Sequence, residues 1–248
     1  MSLLVALQFL SKIPLSIQLD KEDLRPAMMA RRMVYFPLAG LVMGIILMAA
    51  DYLFQLILPS MVAAAFLLVF FTALTGGLHM DGFMDSLDGI WSFTSKKKCL
   101  EIMKDSNIGA YAAVGLMLLL LMKFVLFLQL PTAVRSMGLL IMPALSRWTM
   151  VFAAYIFDNA RGEGLGHLFS SEMTLKKFLV STLFVLPLPL LLEPLALLLL
   201  PLLLLSTLLM GKRISSLLEG LTGDNYGLIN EVNEVLCLLL ILILGGWG

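Results

Sequence analysis

Apolar runs long enough to cross a bilayer recur along almost the whole chain. A backbone amide or carbonyl left unpaired in hydrocarbon costs several kcal/mol, so only helices and closed barrels can carry such runs through a membrane. The runs here are continuous rather than alternating, which predicts helices of roughly 20 residues each. Seven fit the sequence: 34–54, 59–78, 109–130, 137–157, 177–193, 195–210 and 227–245. The fifth and sixth share a segment holding Pro187, Pro189, Pro194 and Pro201, which predicts a tight helical hairpin folding back near Glu193. Leu3 to Leu10 predict an amphipathic or partly embedded helix ended before Pro14. The expected fold is all-α: a polytopic membrane bundle of about seven transmembrane helices with short interfacial helices, forming one domain over 1–248.

Composition agrees. Of 248 residues 60% are hydrophobic and 14% charged, against about a quarter charged in soluble domains. Net charge is zero, so nothing suggests nucleic acid as a partner, and the informative quantity is where the cations lie. Lys12, Lys21, Arg25, Arg31 and Arg32 precede the first span. Lys96, Lys97, Lys98 and Lys104 follow the second, Arg161, Lys176 and Lys177 the fourth, and Lys212 and Arg213 the sixth. That places 14 of the 17 basic residues on one side, with Arg135 opposite and Lys123 and Arg147 inside spans. The positive-inside bias then predicts a cytoplasmic N-terminus and cytoplasmic polar loops. Cys99 and Cys237 have no metal spacing and are expected as free thiols. The start has no basic leader region or small-residue cleavage site, so it is not expected to be a cleaved signal.

Three acidic groups sit at the ends of these runs. In "GGLHMDGFMDSLDG", Asp81, Asp85 and Asp88 are spaced i, i+4, i+7, which puts them on one stripe of a helix. Crowded carboxylates repel and call for a cation, and an all-oxygen set suits Mg²⁺ or Mn²⁺; the alternative is a solvated face paired with Lys96 to Lys98. His79 beside them is weak support for zinc. In "CLEIMKDSNIGAYAA", Ser95 is placed to cap a short helix lying flat on the membrane, with Asp105 and Ser106 at its end. Lys104 and Asp105 are either an exposed ion pair or contacts at a site mouth. In "TGDNYGLINEVNEV", Asp224 precedes a helix carrying Glu231 and Glu234, whose depth makes an interior role the default, unless the helix starts only at Val235. Arg147 is a charge within a span and needs an anion, either a carboxylate or a substrate phosphate. Lys123 is close enough to a helix end to snorkel. The glycine-rich stretch around Arg161 could let backbone approach a phosphate.

Read together, "FPLAGLVMG" (36–44), "TGGLHMDGFMDSLDG" (75–89), "EIMKDSNIGAY" (101–111), "ARGEGLG" (160–166) and "TGDNYGLINEVNE" (222–234) resemble the cobalamin synthase family, the adenosylcobinamide-GDP ribazoletransferases of prokaryotes. Asn107 stands where that resemblance leads one to expect arginine. The resemblance implies attack by the 3′-hydroxyl of α-ribazole, or of its 5′-phosphate, on the phosphate joined to cobinamide, with displacement of GMP and Mg²⁺ as cofactor. It also implies a multi-pass protein of the prokaryotic plasma (inner) membrane, in contact with lipid. With the residue reading it casts Asp81, Asp85 and Asp88 as metal ligands and Asp88 and Arg147 as catalytic. Lys104, Asp105, Ser106, Arg161, Asp224, Glu231 and Glu234 become substrate contacts. A homo-oligomer is compatible with the sequence. Two rivals are a UbiA-like prenyltransferase, which needs a second aspartate motif, and an ion-coupled transporter, which needs carboxylates near the bilayer midplane.

Overall fold

The computed structural model describes residues 2–14, 25–92 and 94–245; Lys21, counted above among the cytoplasmic cations, lies outside them. The described residues form twelve α-helices and no strands. In chain order these are α1 (Ser2–Leu10), α2 (Pro26–Arg31), α3 (Phe36–Ile57), α4 (Ser60–Thr75), α5 (Leu78–Ile90), α6 (Lys96–Ile102), α7 (Ala110–Gln129), α8 (Thr132–Ile156), α9 (Gly164–Glu172), α10 (Leu175–Val185), α11 (Leu199–Leu218) and α12 (Gly223–Gly245).

Five helical segments are long and apolar enough to cross a membrane, or up to seven if two bent pairs each count as one span. The chain is a multi-pass membrane bundle. The bent pairs are α4 with α5, at 89°, and α9 with the segment from α10 through Leu191, at 90°. At the first bend Gly76 and Gly77 both take left-handed φ, +64° and +69°, which a residue with a Cβ adopts only at a cost. α5 therefore turns across the end of α4.

The proline-rich segment differs from its expected helical hairpin. α10 stops at Val185, and the chain returns through two 3₁₀ turns, Leu188–Leu191 and Pro194–Leu198. Each proline removes an amide and clashes with the preceding turn, so a continuous helix cannot form there. Pro201 is tolerated in the first turn of α11, where amides lack helical partners anyway. α11 runs on to Leu218, which brings Lys212 and Arg213 into its last turns.

Two close crossings set the packing. Gly40 and Gly44, the small residues of "FPLAGLVMG", bring α3 against α8. A Cβ on either would stand 2.3 Å from the Pro143 carbonyl oxygen or 2.0 Å from that of Leu140. Small residues at such a spacing let membrane helices approach backbone to backbone. Gly82 and Gly227 do the same for α5 and α12: a Cβ would meet the Asp224 carbonyl oxygen at 2.8 Å and the His79 carbonyl oxygen at 2.7 Å. On the far side Arg135, in the first turn of α8, donates from Nε and Nη2 to Asp51 of α3 at 2.7 and 2.6 Å, a planar bidentate pair.

The α5–α12 crossing yields a stability test. Gly227→Leu forces a side chain against backbone that cannot move aside, so it should lower folded yield and melting temperature in detergent, by about 1–3 kcal/mol or more. Gly223→Ala, on the same helix, meets nothing closer than 3.8 Å and should leave melting close to that of the unaltered protein. Equal melting of both variants would mean the crossing is loose.

Candidate active site

The aspartate stripe forms as its spacing requires. Asp81, Asp85 and Asp88 lie on one face of α5 and open into a cavity of about 410 Å³, which Lys104, Asp105 and Ser106 also line. Six sequence-selected residues thus meet in one place. α6 and the turn after it supply the second wall, with Cys99 and Met103 buried beneath. Ser95 stands at the N-cap of α6 but makes no side-chain capping bond.

The three aspartates have different surroundings. Asp88 accepts the amides of Gly109 and Ala112 at 2.7 and 2.8 Å, capping the start of α7 with both oxygens. Asp81 is exposed and Asp85 half-buried, and neither has an ion-pair partner among the described residues. The Asp85 carboxyl is lifted to about 6 by burial and then by the negative charges of Asp224 and Asp81. Lys96 pairs with Glu219 at 2.7 Å and Lys98 with Glu101 at 3.5 Å. The basic patch therefore does not neutralise the stripe. No three carboxylate, histidine or cysteine side chains among the described residues are arranged to hold a metal ion by themselves, because Asp88 is turned to α7 and Asp224 to Arg161.

At the mouth, Asp105 accepts from the backbone and side-chain nitrogens of Asn107 at 3.0 and 2.7 Å, and these bonds hold its carboxyl below the usual range. Asn107 thus orders the turn where an arginine was expected. Lys104 is exposed and lies 4.0 Å from Glu163, across from the loop before α9.

Arg161 and Asp224 sit beside the cavity, paired at 3.1 Å. Asp224 lies in the first turn of α12 rather than before it. That helix starts in a capping box: the Thr222 amide donates to Asn225 Oδ1 at 2.8 Å, and the Asn225 amide donates to the Thr222 hydroxyl at 3.3 Å. Asn225 Nδ2 also reaches the Ser86 hydroxyl of α5 at 2.9 Å. The glycine-rich loop has its own ties. Asn159 Oδ1 accepts the Arg161 and Gly162 amides, both at 2.9 Å, so these amides are not free for a phosphate.

Arg147, Glu231 and Glu234 are elsewhere. All three lie inside the bundle with Lys123, which pairs with both glutamates while Arg147 pairs with Glu234. Arg147, Lys123 and Glu234 are 0% exposed. Lys123, expected to snorkel, is instead buried, and of the two anions expected for Arg147, a carboxylate or a substrate phosphate, the one paired with it is a carboxylate, Glu234 of α12 rather than an aspartate of the stripe. Helix α12 begins at Gly223, not at Val235, and its polar half is core. Asn233 donates to the hydroxyls of Thr149 and Thr207 at 3.1 and 3.0 Å. These partners are tertiary; the only sequence signal was a polar residue at each third or fourth position of α12. His79 is buried beside the cluster with both ring nitrogens unpartnered. The two cysteines are free and buried, as expected.

The whole chain bears on what this arrangement is for. Residues 2–242 match the family model described as cobalamin-5-phosphate synthase. The chain belongs to that family. Among curated relatives named adenosylcobinamide-GDP ribazoletransferase, it is 39% identical to one from Desulfitobacterium hafniense, over 95% of this chain and 94% of the relative. It is 36% identical to one from Geotalea daltonii, over 98% and 97%, and 34% identical to one from Alkaliphilus metalliredigens, over 98% and 95%. No solved structure matches the chain.

The buried cluster and the cap give separable expectations. Arg147→Met leaves Glu231 and Glu234 with Lys123 alone, an uncompensated buried charge costing about 3–5 kcal/mol. The Arg147→Met, Glu234→Leu double variant removes one charge of each sign and should recover most of that loss in thermal melting. If the double variant is no better than the single one, the pairing is not what holds these helices. Asp88→Ala should cost about 1–2 kcal/mol through the lost cap, read as faster amide exchange at the start of α7.

Proposed function

We infer that the chain catalyses the adenosylcobinamide-GDP ribazoletransferase reaction for which its relatives are named, a late step of cobalamin synthesis, and that the cavity of Asp81, Asp85 and Asp88 is its active site. The observation that carries this is the meeting of three aspartates with Lys104, Asp105 and Ser106 in one cavity of a family member. A hydroxyl of α-ribazole, or of its 5′-phosphate, attacks the phosphorus joined to cobinamide. The P–O bond to the second phosphate breaks, and GMP leaves.

Mg²⁺ fits Asp81 and Asp85, the two aspartates of the cavity with neither a hydrogen-bond nor an ion-pair partner among the described residues. This ion binds through one or two carboxylates plus substrate phosphates rather than through a complete protein cage, which agrees with a site that has no third free ligand until the diphosphate arrives. When bound, it would neutralise charge on the transferring phosphate. Lys104 is placed to meet the diphosphate at the mouth, and Arg161, largely buried beside the cavity with 19% of its side chain exposed, can exchange Asp224 for a phosphate oxygen. Asp105, fixed by Asn107, and Ser106 orient polar groups at the same mouth. Each oxygen of Asp88 keeps a lone pair, so Asp88 can take the hydroxyl's proton. In phosphoryl transfer, positioning and charge stabilisation carry most of the rate. Glu231, Glu234 and Arg147 act at a distance, by fixing α12. Their mutual neutralisation also removes the second acidic motif a prenyltransferase needs and the free carboxylates a transporter needs.

The same reading places the protein in the prokaryotic plasma membrane with this cavity in the cytoplasm, following the basic loops. Cysteines at Ser95 and Ser171, in a Cys99→Ala, Cys237→Ala background, should react with an impermeant thiol reagent only from the cytoplasmic side. Labelling from outside would reverse the orientation.

The activity is tested by GMP release from adenosylcobinamide-GDP with purified protein, with and without α-ribazole and Mg²⁺. Release should require both, and Asp81→Asn and Asp85→Asn should abolish it while the fold persists. A proton competes with the metal for Asp85, so Mg²⁺ affinity should fall as pH drops through about 6. A raised carboxyl also binds its proton more tightly when folded, a contribution lost as pH rises. Asp85→Asn should therefore melt no lower than the unaltered protein at neutral pH without metal, and a lower melting point would make Asp85 structural.

A further inference from the structure

A second cavity, of about 820 Å³, lies between α4, α5 and α7, a volume within the range of about 300–1,000 Å³ usual for small-molecule sites. Its lining is apolar, with Leu68, Ala73, Leu116 and Leu120 among it. Two residues, Asp81 and Met84, line both this cavity and the carboxylate cavity, so one wall separates them. Lys12 stands on its rim. The Lys12 amide donates to the Leu74 carbonyl at 2.8 Å, and its methylene chain lies over Gly76, filling the place a Cβ would take there. Backbone and stem are thus anchored, the side chain is exposed, and no carboxylate pairs with its ammonium among the described residues.

We propose that this cavity is the subsite for the acceptor nucleoside: the methylated aromatic base of α-ribazole sits among the leucines, and Lys12 receives a 5′-phosphate where the acceptor carries one. The proposal rests on the ribazoletransferase reading and names where one of its substrates lies. The acceptor has an apolar base at one end and its reacting hydroxyl on the sugar a few bonds away. Two cavities sharing a wall match that division. The base takes the apolar side, the ribose passes over Asp81 and Met84, and the hydroxyl enters the side where Asp81 and Asp85 face the diphosphate. Met84 gives the ring a polarizable, adaptable contact. The charge on the rim is complementary to a phosphate, and Lys12 lines the apolar cavity whereas Lys104, which meets the donor's diphosphate, lines the carboxylate cavity. A phospholipid would satisfy Lys12 and the leucines but gives no reason for the cavity to share Asp81 with the carboxylates.

The test uses the full chain in nanodiscs of one defined lipid, with Lys12→Gln and Ala73→Trp, the latter filling the cavity from an exposed position on α4. Lys12→Gln should raise KM for α-ribazole 5′-phosphate about tenfold more than KM for α-ribazole, the effect of losing a charged contact of about 1.4 kcal/mol. Ala73→Trp should raise KM for both acceptors relative to that for adenosylcobinamide-GDP. Equilibrium dialysis without donor should show the same loss of acceptor binding. Equal change of the two acceptors in Lys12→Gln, a rise confined to the donor in Ala73→Trp, or effects that vanish when the nanodisc lipid is exchanged would overturn the subsite. Failure of the enzymatic reading itself is seen separately, as absence of GMP release by the unaltered protein.

Discussion

The cluster of Lys123, Arg147, Glu231 and Glu234 is the interaction on which the rest of the structure depends. It joins α7, α8 and α12 at a depth where water cannot share the work. Two cations and two anions sum to zero, which is the condition for burying them at all, since an unpaired ion in the interior costs several kcal/mol. Apolar side chains of equal volume could hold the helices as strongly. What they could not do is select one register. Turning or sliding α12 by one residue would separate Glu231 and Glu234 from their cations, whereas leucines in their place would meet other leucines.

Register then sets the carboxylate cavity. With the glutamates fixed, Gly227 lies one turn nearer the start of α12 and faces the His79 carbonyl, while Gly82 faces that of Asp224. The crossing is tight enough to bring Asp224 beside Asp85, and Asn225 ties it to Ser86. The inner cluster is therefore balanced in charge and buried, whereas the neighbouring cavity is left with more carboxylate than cation. That contrast, between the inner cluster on α12 and the stripe on α5 packed against it, separates a group of charges neutralised within the chain from one that is not. Burial lifts the Asp85 carboxyl first, and the neighbouring charges of Asp224 and Asp81 add to it.

How much of this could be read beforehand follows the range of each interaction. Runs such as 34–54 and 109–130 lie within α3 and α7 to within a few residues, because bilayer length and backbone pairing act locally. The aspartate stripe was legible for the same reason: i, i+4, i+7 is a property of one helix. The partner of Arg147 was not, because a sequence shows that a buried cation needs an anion but not which of several will reach it. Lys123 was misjudged for want of the same information. Asp88 was visible as a carboxylate at a ligand spacing, but its use as a cap depends on α7 starting at a point 21 residues further along. The helix α9 was hidden because glycines that read as a loop, such as Gly166, serve instead to let its first turn touch the start of α12.

The placement of α5 accounts for two chemistries in so small a region. The paired left-handed glycines turn the chain aside after α4, and α5 runs across the ends of its neighbours. One of its faces then belongs to the polar cavity under Lys104, and the next belongs to the apolar space between α4 and α7. Asp81 and Met84, three residues apart, stand on the ridge between them. A soluble protein would have to build such an apolar wall from its own core. Here the apolar sides of α4 and α7 already provide it next to the carboxylates, so an apolar wall and a charged one lie within one turn of α5.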